Sequence, residues 1–314
     1  MHVIYCIISV KYVYGRGNFL GELIGAVGGA LMIALIVVLA FRFVWETFIS
    51  GSSETLKSIS YYSGVSIASG IILLLCGAVI YNFVYEKTSV LNIAAIWNYP
   101  PAGTFLASEG IYSGFPLYTL LVSLFSNLLF DKYTECAVYI SFLSGIITAV
   151  SLGMYMEKRM KRQDVMQYII ICMCIPGAVF LFLPSSLALF MALFSLCLLC
   201  QECGHKIWSA VFAVLCMASH ISGICAVVLW AVSFIYKKEN RNSDIIYAIC
   251  VSVIQLIISV ICAILGYGSY AEYILVFIVP ACMVARPVKN LIYINIIMVI
   301  LSGFHMTGMF YGYF

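Results

Sequence analysis

The chain has 314 residues, of which 64% are hydrophobic and only 9% charged, with a mean hydropathy of +1.09 and a net charge of +3. Soluble domains carry roughly 25% charged residues, so this composition excludes a soluble globule and predicts an integral membrane protein. Apolar runs of about 15–25 residues suit membrane helices rather than the short alternating strands of a membrane β-barrel. A charge this small in such a chain reports topology before ligands, and no nucleic-acid partner is read from it.

In chain order, the run Val3–Val13 lacks the basic flank and small-residue cleavage site of a signal peptide. The next span, about Phe19–Phe41, carries Gly21, Gly25 and Gly29 on one helical face, a spacing that lets helix backbones approach closely in lipid. A polar connector leads to a span near Tyr62–Val84. Then comes a polar interruption, Glu86–Tyr118, whose stretch 86–114 reads as an extracytoplasmic loop. It holds Trp97, Asn98, Tyr99, Glu109, which is the only acidic residue from Lys87 through Phe130, Tyr112, and the string Phe115-Pro116-Leu117-Tyr118.

Further spans are expected at Phe115–Phe130, short for a crossing, and at Glu135–Tyr155, Val165–Leu183, Ser186–Cys200, Ile207–Tyr236, Ile245–Leu265, Tyr273–Ala285 and Leu291–Phe304. Polar and glycine residues at Ser219-His220-Ile221-Ser222-Gly223 break the long run into a helical hairpin. The expected fold is all-α, one polytopic integral membrane domain over 1–314 with about ten spans.

If Lys158, Arg159, Lys161 and Arg162 face the cytoplasm and Phe115–Phe130 does not cross, alternation puts all Lys and Arg on that side except Lys11, Arg16, Lys87 and Lys132. The polar and aromatic loop clusters, 184–186, 219–223 and 267–273 among them, then share the outer face with the 86–114 loop. Cys197, Cys200 and Cys203, with His205 beyond, have a metal-like spacing, but cysteines among leucines at a helix end read as packing residues. No metal site is assigned.

The string from Ile175 through Phe190, with Pro176, Pro184, Ser186, Leu189 and Phe190 in register, resembles the P-T-A-F-F-L-x-x-P-Y-S-E-S-L-F segment of bacterial relatives of glycosylphosphatidylinositol mannosyltransferase II. Phe115-Pro116-Leu117-Tyr118 is similar to that family's F-F-P-L-Y-P, Trp97-Asn98 and Glu109-Gly110 to its W-D…G-Y loop, and Ser219 to Gly223 to its T-R-x-x-G. The resemblance implies a C-type glycosyltransferase fold in a bacterial cell membrane. It also implies transfer of a sugar from a polyprenyl-phosphate donor to a lipid or glycan acceptor on the outer face.

In such chemistry a loop carboxylate acts as base or as ligand of a divalent cation, because an acceptor hydroxyl is a poor nucleophile until its proton is taken. Cationic or hydrogen-bonding groups steady the departing phosphate. The resemblance would give catalytic roles to Asn98 or Glu109, with Glu272 as a further outer-face acid. Substrate contacts would come from Trp97, Tyr99, Phe115, Pro116, Tyr118, Ser186 and His220. Three positions depart from the pattern: Asn98 stands for its aspartate, Leu187 for its glutamate and His220 for its arginine. Three readings stay open: Glu109 supplies the acid, Glu272 does, or the chain is a catalytically inactive relative acting as a subunit. An oligosaccharide-repeat polymerase fits the short outer loops too, but only Arg16 among arginines lies on that face. A transporter would show an internal repeat and charged spans, which this sequence lacks.

Overall fold

In a computed structural model, residues 57–72, 116–128, 133–175, 177–181, 185–235, 241–265, 275–286 and 291–310 are described. The chain divides into two compact units, 1–63 and 64–314. All described regular structure is helical. In the first unit residues 57–63 are helical, with Ser63 Oγ donating to the Ile59 carbonyl.

The second unit begins with helical residues 64–72. It continues through α1 (Pro116–Leu128), α2 (Tyr133–Glu157), α3 (Arg162–Cys174), a 3-10 turn (Ala178–Leu181), α4 (Ser186–Glu202) and α5 (Lys206–Ser219). The remaining helices are α6 (Gly223–Ile235), α7 (Arg241–Leu265), α8 (Ile278–Val284) and α9 (Ile292–Phe310). Within the described residues, Tyr139–Glu157 of α2 and Asp244–Ile261 of α7 are long and apolar enough to cross a membrane by length and composition. Shorter apolar helices include Ser186–Glu202, Lys206–Ser219 and Tyr293–Ser302.

The centre is α4, buried from Leu187 through Cys200 without interruption. A helix apolar on every side can only be an interior helix or a membrane span. It packs against α2 and α5, with α6 completing its surroundings. Small polar residues let α2 come close: Ser141, Ser144, Thr148 and Ser151 are all buried, at spacings that share one helical face. Two of them satisfy themselves locally, Ser144 Oγ donating to the Ile140 carbonyl at 2.7 Å and Thr148 Oγ1 to the Ser144 carbonyl at 2.9 Å. Bonding back one turn removes the cost of an unpaired hydroxyl in an apolar layer.

The turn from α4 to α5 is closed by Gly204, whose φ of 79° lies in the left-handed region. Its N–H donates to the Gln201 carbonyl at 3.1 Å, and His205 N–H reaches back to Cys200 at 2.8 Å, the paired bonds of a Schellman cap. The break expected at 219–223 is present between α5 and α6, where His220 is extended (φ −159°, ψ 153°).

Two expected spans are revised. The run Val165–Leu183 is not one helix: α3 ends at Cys174, and Ile175 is extended at φ −65°, ψ 148°. The cause is in the sequence, since a residue before proline, here Pro176, is driven out of the helical region. The run Tyr273–Ala285 likewise resolves into helical residues 275–276, a turn at Phe277 and the seven-residue α8. Pro280 sits in the first turn of α8, where its missing N–H costs nothing. The run 19–41 and the loop 86–114 lie outside the described residues.

Candidate functional site

Polar side chains gather at both ends of α4. At its N-terminus Ser185 is the cap, its hydroxyl accepting Leu187 N–H at 3.1 Å. Ser185 N–H donates to Ser141 Oγ of α2 at 3.1 Å. Tyr118 of α1, buried, donates its hydroxyl proton to the Ala137 carbonyl at 3.0 Å and lies 3.0 Å from Ser141 Oγ. With its one proton committed to Ala137, the phenol oxygen accepts from Ser141. Three helices are thereby pinned at one point.

Next to this point an apolar groove of about 190 Å³ runs between α1 and α2, lined by Leu121, Phe125, Tyr139, Ile140 and Leu189. His220 belongs to the same end, its ring stacked obliquely on Phe190 of α4 with centroids 5.5 Å apart. His220 Nδ1 accepts Ser222 N–H at 3.1 Å within the α5–α6 turn. Accepting a backbone proton there requires the unprotonated nitrogen. Burial pushes the imidazole down to about 4, so at neutral pH the ring carries no charge.

Of the residues singled out in the sequence, the structure brings Tyr118, Ser186 and His220 to this end. Tyr118 is hydrogen-bonded, Ser186 is the first residue of α4, and His220 lies against the second turn of α4. Pro116 opens α1, where proline is favoured. Trp97, Asn98, Tyr99, Glu109, Phe115 and Glu272 lie outside the described residues. Ser141, the hub of the cluster, carried no mark in the sequence beyond being a serine in an apolar run. The hydroxyls, neutral imidazole and groove suit a hydroxylated, partly apolar molecule, but the imidazole nitrogen that lacks a proton is engaged by Ser222 N–H rather than turned to an acceptor hydroxyl.

At the other end of α4 a second node forms around Arg159, in the turn between α2 and α3. Its guanidinium pairs with Glu202 at the end of α4 and Asp244 at the start of α7, each at 3.0 Å, and donates to the Met283 carbonyl at 3.1 Å. The ring of Tyr155 lies under it, 4.5 Å from the guanidinium carbon, within cation–π range. Lys158 Nζ lies 3.3 Å from Cys203 Sγ, and Cys197 Sγ lies 3.4 Å from Ser209 Oγ. The cysteine spacing noted in the sequence is thus spread over separate contacts. Among the described residues no three His, Cys, Asp or Glu side chains converge to hold a metal ion.

The two nodes lie about 24 Å apart along α4, taking 1.5 Å of rise per residue. Comparison with protein-family models, with curated proteins and with solved structures finds no match, so what this chain does is argued from its own residues.

Proposed function

We propose that the chain is a multi-pass membrane protein that transfers a sugar from a polyprenyl-phosphate donor to a lipid or glycan acceptor at the outer face, as a C-type glycosyltransferase does. Embedding in lipid is supported by apolar side chains turned outward on several helices. Leu120 and Leu124 of α1, Ile207 and Val214 of α5, Val253 and Leu256 of α7, and Ile296 and Ile297 of α9 are all at least half exposed. Contiguous apolar surface on this scale is not left to water.

The observation that carries the functional reading is the convergence at the N-terminal end of α4. Tyr118, Ser186 and His220 come from three separate stretches that resemble the mannosyltransferase family, and all three lie towards that end of α4, with an apolar groove between α1 and α2 nearby. The groove suits an isoprenoid or acyl tail, and the hydroxyls suit a sugar or its phosphate. Glu109 would then take the acceptor proton, with Glu272 as the second candidate, and Trp97, Tyr99, Phe115 and Pro116 would line the sugar.

Incubating the purified, reconstituted chain with radiolabelled polyprenyl-phosphate sugars should transfer label to acceptor. Glu109→Gln should lower that transfer by about 100-fold or more, the usual weight of a general base. Transfer unaffected in both Glu109→Gln and Glu272→Gln would remove both acids from the chemistry. A second reading, a catalytically inactive relative serving as a subunit, is favoured by His220: its ring is neutral and committed to the α5–α6 turn, unlike the arginine it replaces. Absence of transfer from every donor would support that reading instead.

A further inference from the structure

Two buried thiols lie against each other. Cys172 of α3 and Cys282 of α8, 110 positions apart, bring their sulfurs to 3.7 Å. They are 6% and 4% exposed, and both are free cysteines. Other buried thiols contact oxygens, Cys197 that of Ser209 and Cys225 that of Gln255, whereas here sulfur meets sulfur.

A second contact holds the register. Tyr168, one turn before Cys172 on the same face of α3, donates its hydroxyl proton to the carbonyl of Arg286, four residues after Cys282. The pairs 168 with 286 and 172 with 282 step in opposite directions along the chain, so α3 and the α8 segment pass antiparallel with the two cysteines level. Met283, next to Cys282, is the residue whose carbonyl accepts from Arg159. A bond at Cys282 would therefore fix the seven-residue α8 to α3 beside the Arg159 node.

We propose that Cys172 and Cys282 form a peroxide-sensitive dithiol whose oxidation clamps α8 to α3. Disulfide sulfurs stand about 2.05 Å apart, so a gap of about 1.7 Å is closed by rotation about the two Cα–Cβ bonds. One thiolate attacks a peroxide oxygen: an S–O bond forms, the O–O bond breaks, and hydroxide leaves and takes up the thiol's proton as water. The neighbouring sulfur then displaces that oxygen: the S–S bond forms, the S–O bond breaks, and a second water carries away the second proton. Two thiols and one peroxide give one disulfide and two waters, each sulfur losing one electron and the peroxide gaining two. The second step is favoured because the partner sulfur is already in contact.

Burial selects the oxidant. Hydrogen peroxide is close to water in size, whereas a glutathione disulfide is too bulky for a sulfur this enclosed. In the membrane reading the Arg159 end is cytoplasmic, where thiols are kept reduced, so the dithiol is the resting form and the bridge a transient one. Sugar transfer plays no part in this chemistry.

The purified full chain in detergent is treated with hydrogen peroxide, alkylated and mapped by peptide mass spectrometry. A cross-linked peptide pair containing Cys172 and Cys282, about 2 Da lighter than its two thiol parts, should be the main product and should disappear after dithiothreitol. Oxidised glutathione should leave both cysteines unmodified, and a mixed disulfide at either overturns the selection by size. The bridged chain should unfold at a higher temperature than the reduced one, because the bridge restricts the unfolded state across a long loop. Cys172→Ala and Cys282→Ser should each abolish that rise. Bridges that leave Cys172 and Cys282 as thiols, or that join either to another cysteine, overturn the pairing, and equal unfolding temperatures overturn the clamp. The mapping uses the unaltered chain, so it decides even if neither variant folds.

Discussion

The Arg159 guanidinium holds four segments with a single side chain: α4 through Glu202, α7 through Asp244, α8 through the Met283 carbonyl and α2 through the Tyr155 ring. Arg159→Met would leave two partly buried carboxylates without their cation, the costly way to break a buried pair. The expected loss is about 3 kcal/mol, read by thermal unfolding in detergent. Arg159→Lys should lie between, since an ammonium cannot bridge two carboxylates and a carbonyl in one plane. His220 predicts a pH effect of defined sign. Its imidazole titrates lower in the fold than its ordinary 6.5, so the unfolded chain binds the extra proton first. The stability tied to neutral His220 is therefore complete above about pH 6.5 and is lost as pH falls toward 4. Unfolding curves of the chain and of His220→Asn should converge at acid pH and separate above it, and a gap that stays the same from pH 6.5 down to 4 would oppose this.

Some of these residues stood out in the sequence and others could not. Tyr118 and His220 are polar groups in apolar surroundings, where only a specific need keeps them. Arg159 was visible as a marker of sidedness, but its partners lie 43 and 85 positions away, a distance no local pattern spans. Ser141 was illegible because a serine on an apolar helix reads the same whether it caps a neighbour, pairs with a tyrosine or bonds back to its own turn.

At the scale of elements, the breaks decide which residues meet. A Cβ added at Gly223 would lie 2.5 Å from Met217 N and closer still to the Cys216 carbonyl, all of it backbone that cannot swing aside. Gly223→Ala should therefore force α5 and α6 apart and cost about 1–3 kcal/mol, the range for overpacking a filled site. A change within a few tenths of that of an exposed Gly64→Ala control, whose Cβ would meet nothing, would contradict the packing described. Tyr118→Phe removes the bonds to Ala137 and Ser141 and should cost roughly 1 kcal/mol. The hairpin break was legible because Ser219, His220, Ser222 and Gly223, four polar or small residues within five positions, interrupt a long apolar run. The early end of α3 was equally written, in Pro176, but hydropathy averaged over a window passes through a proline that backbone sterics do not.

For the whole molecule, the ends of successive helices alternate as the basic residues suggest. The turn after α2, the end of α4, the start of α7 and the end of α8 all meet at Arg159. The starts of α1 and α4 meet at Ser141. In the membrane reading this predicts that reporters fused after Lys161 and after Gly204 sit on the cytoplasmic side and one fused after Ser222 on the other. A reporter after Ser222 that shared the side of the other two would dismantle the topology and the outer-face site together.

The burial of α4 on every side has a consequence for how the chain tolerates change. A helix with one free face accepts substitution there, so α7, with its outward row of isoleucines and valines, should show tolerance rising and falling every three or four positions in a saturation mutagenesis scan. Since α4 has no such face from Leu187 to Cys200, its tolerance profile should be flat and low, with no helical rhythm. Sequence drift in this protein would then be recorded on its outer helices, while the helix joining its two polar ends keeps almost no history.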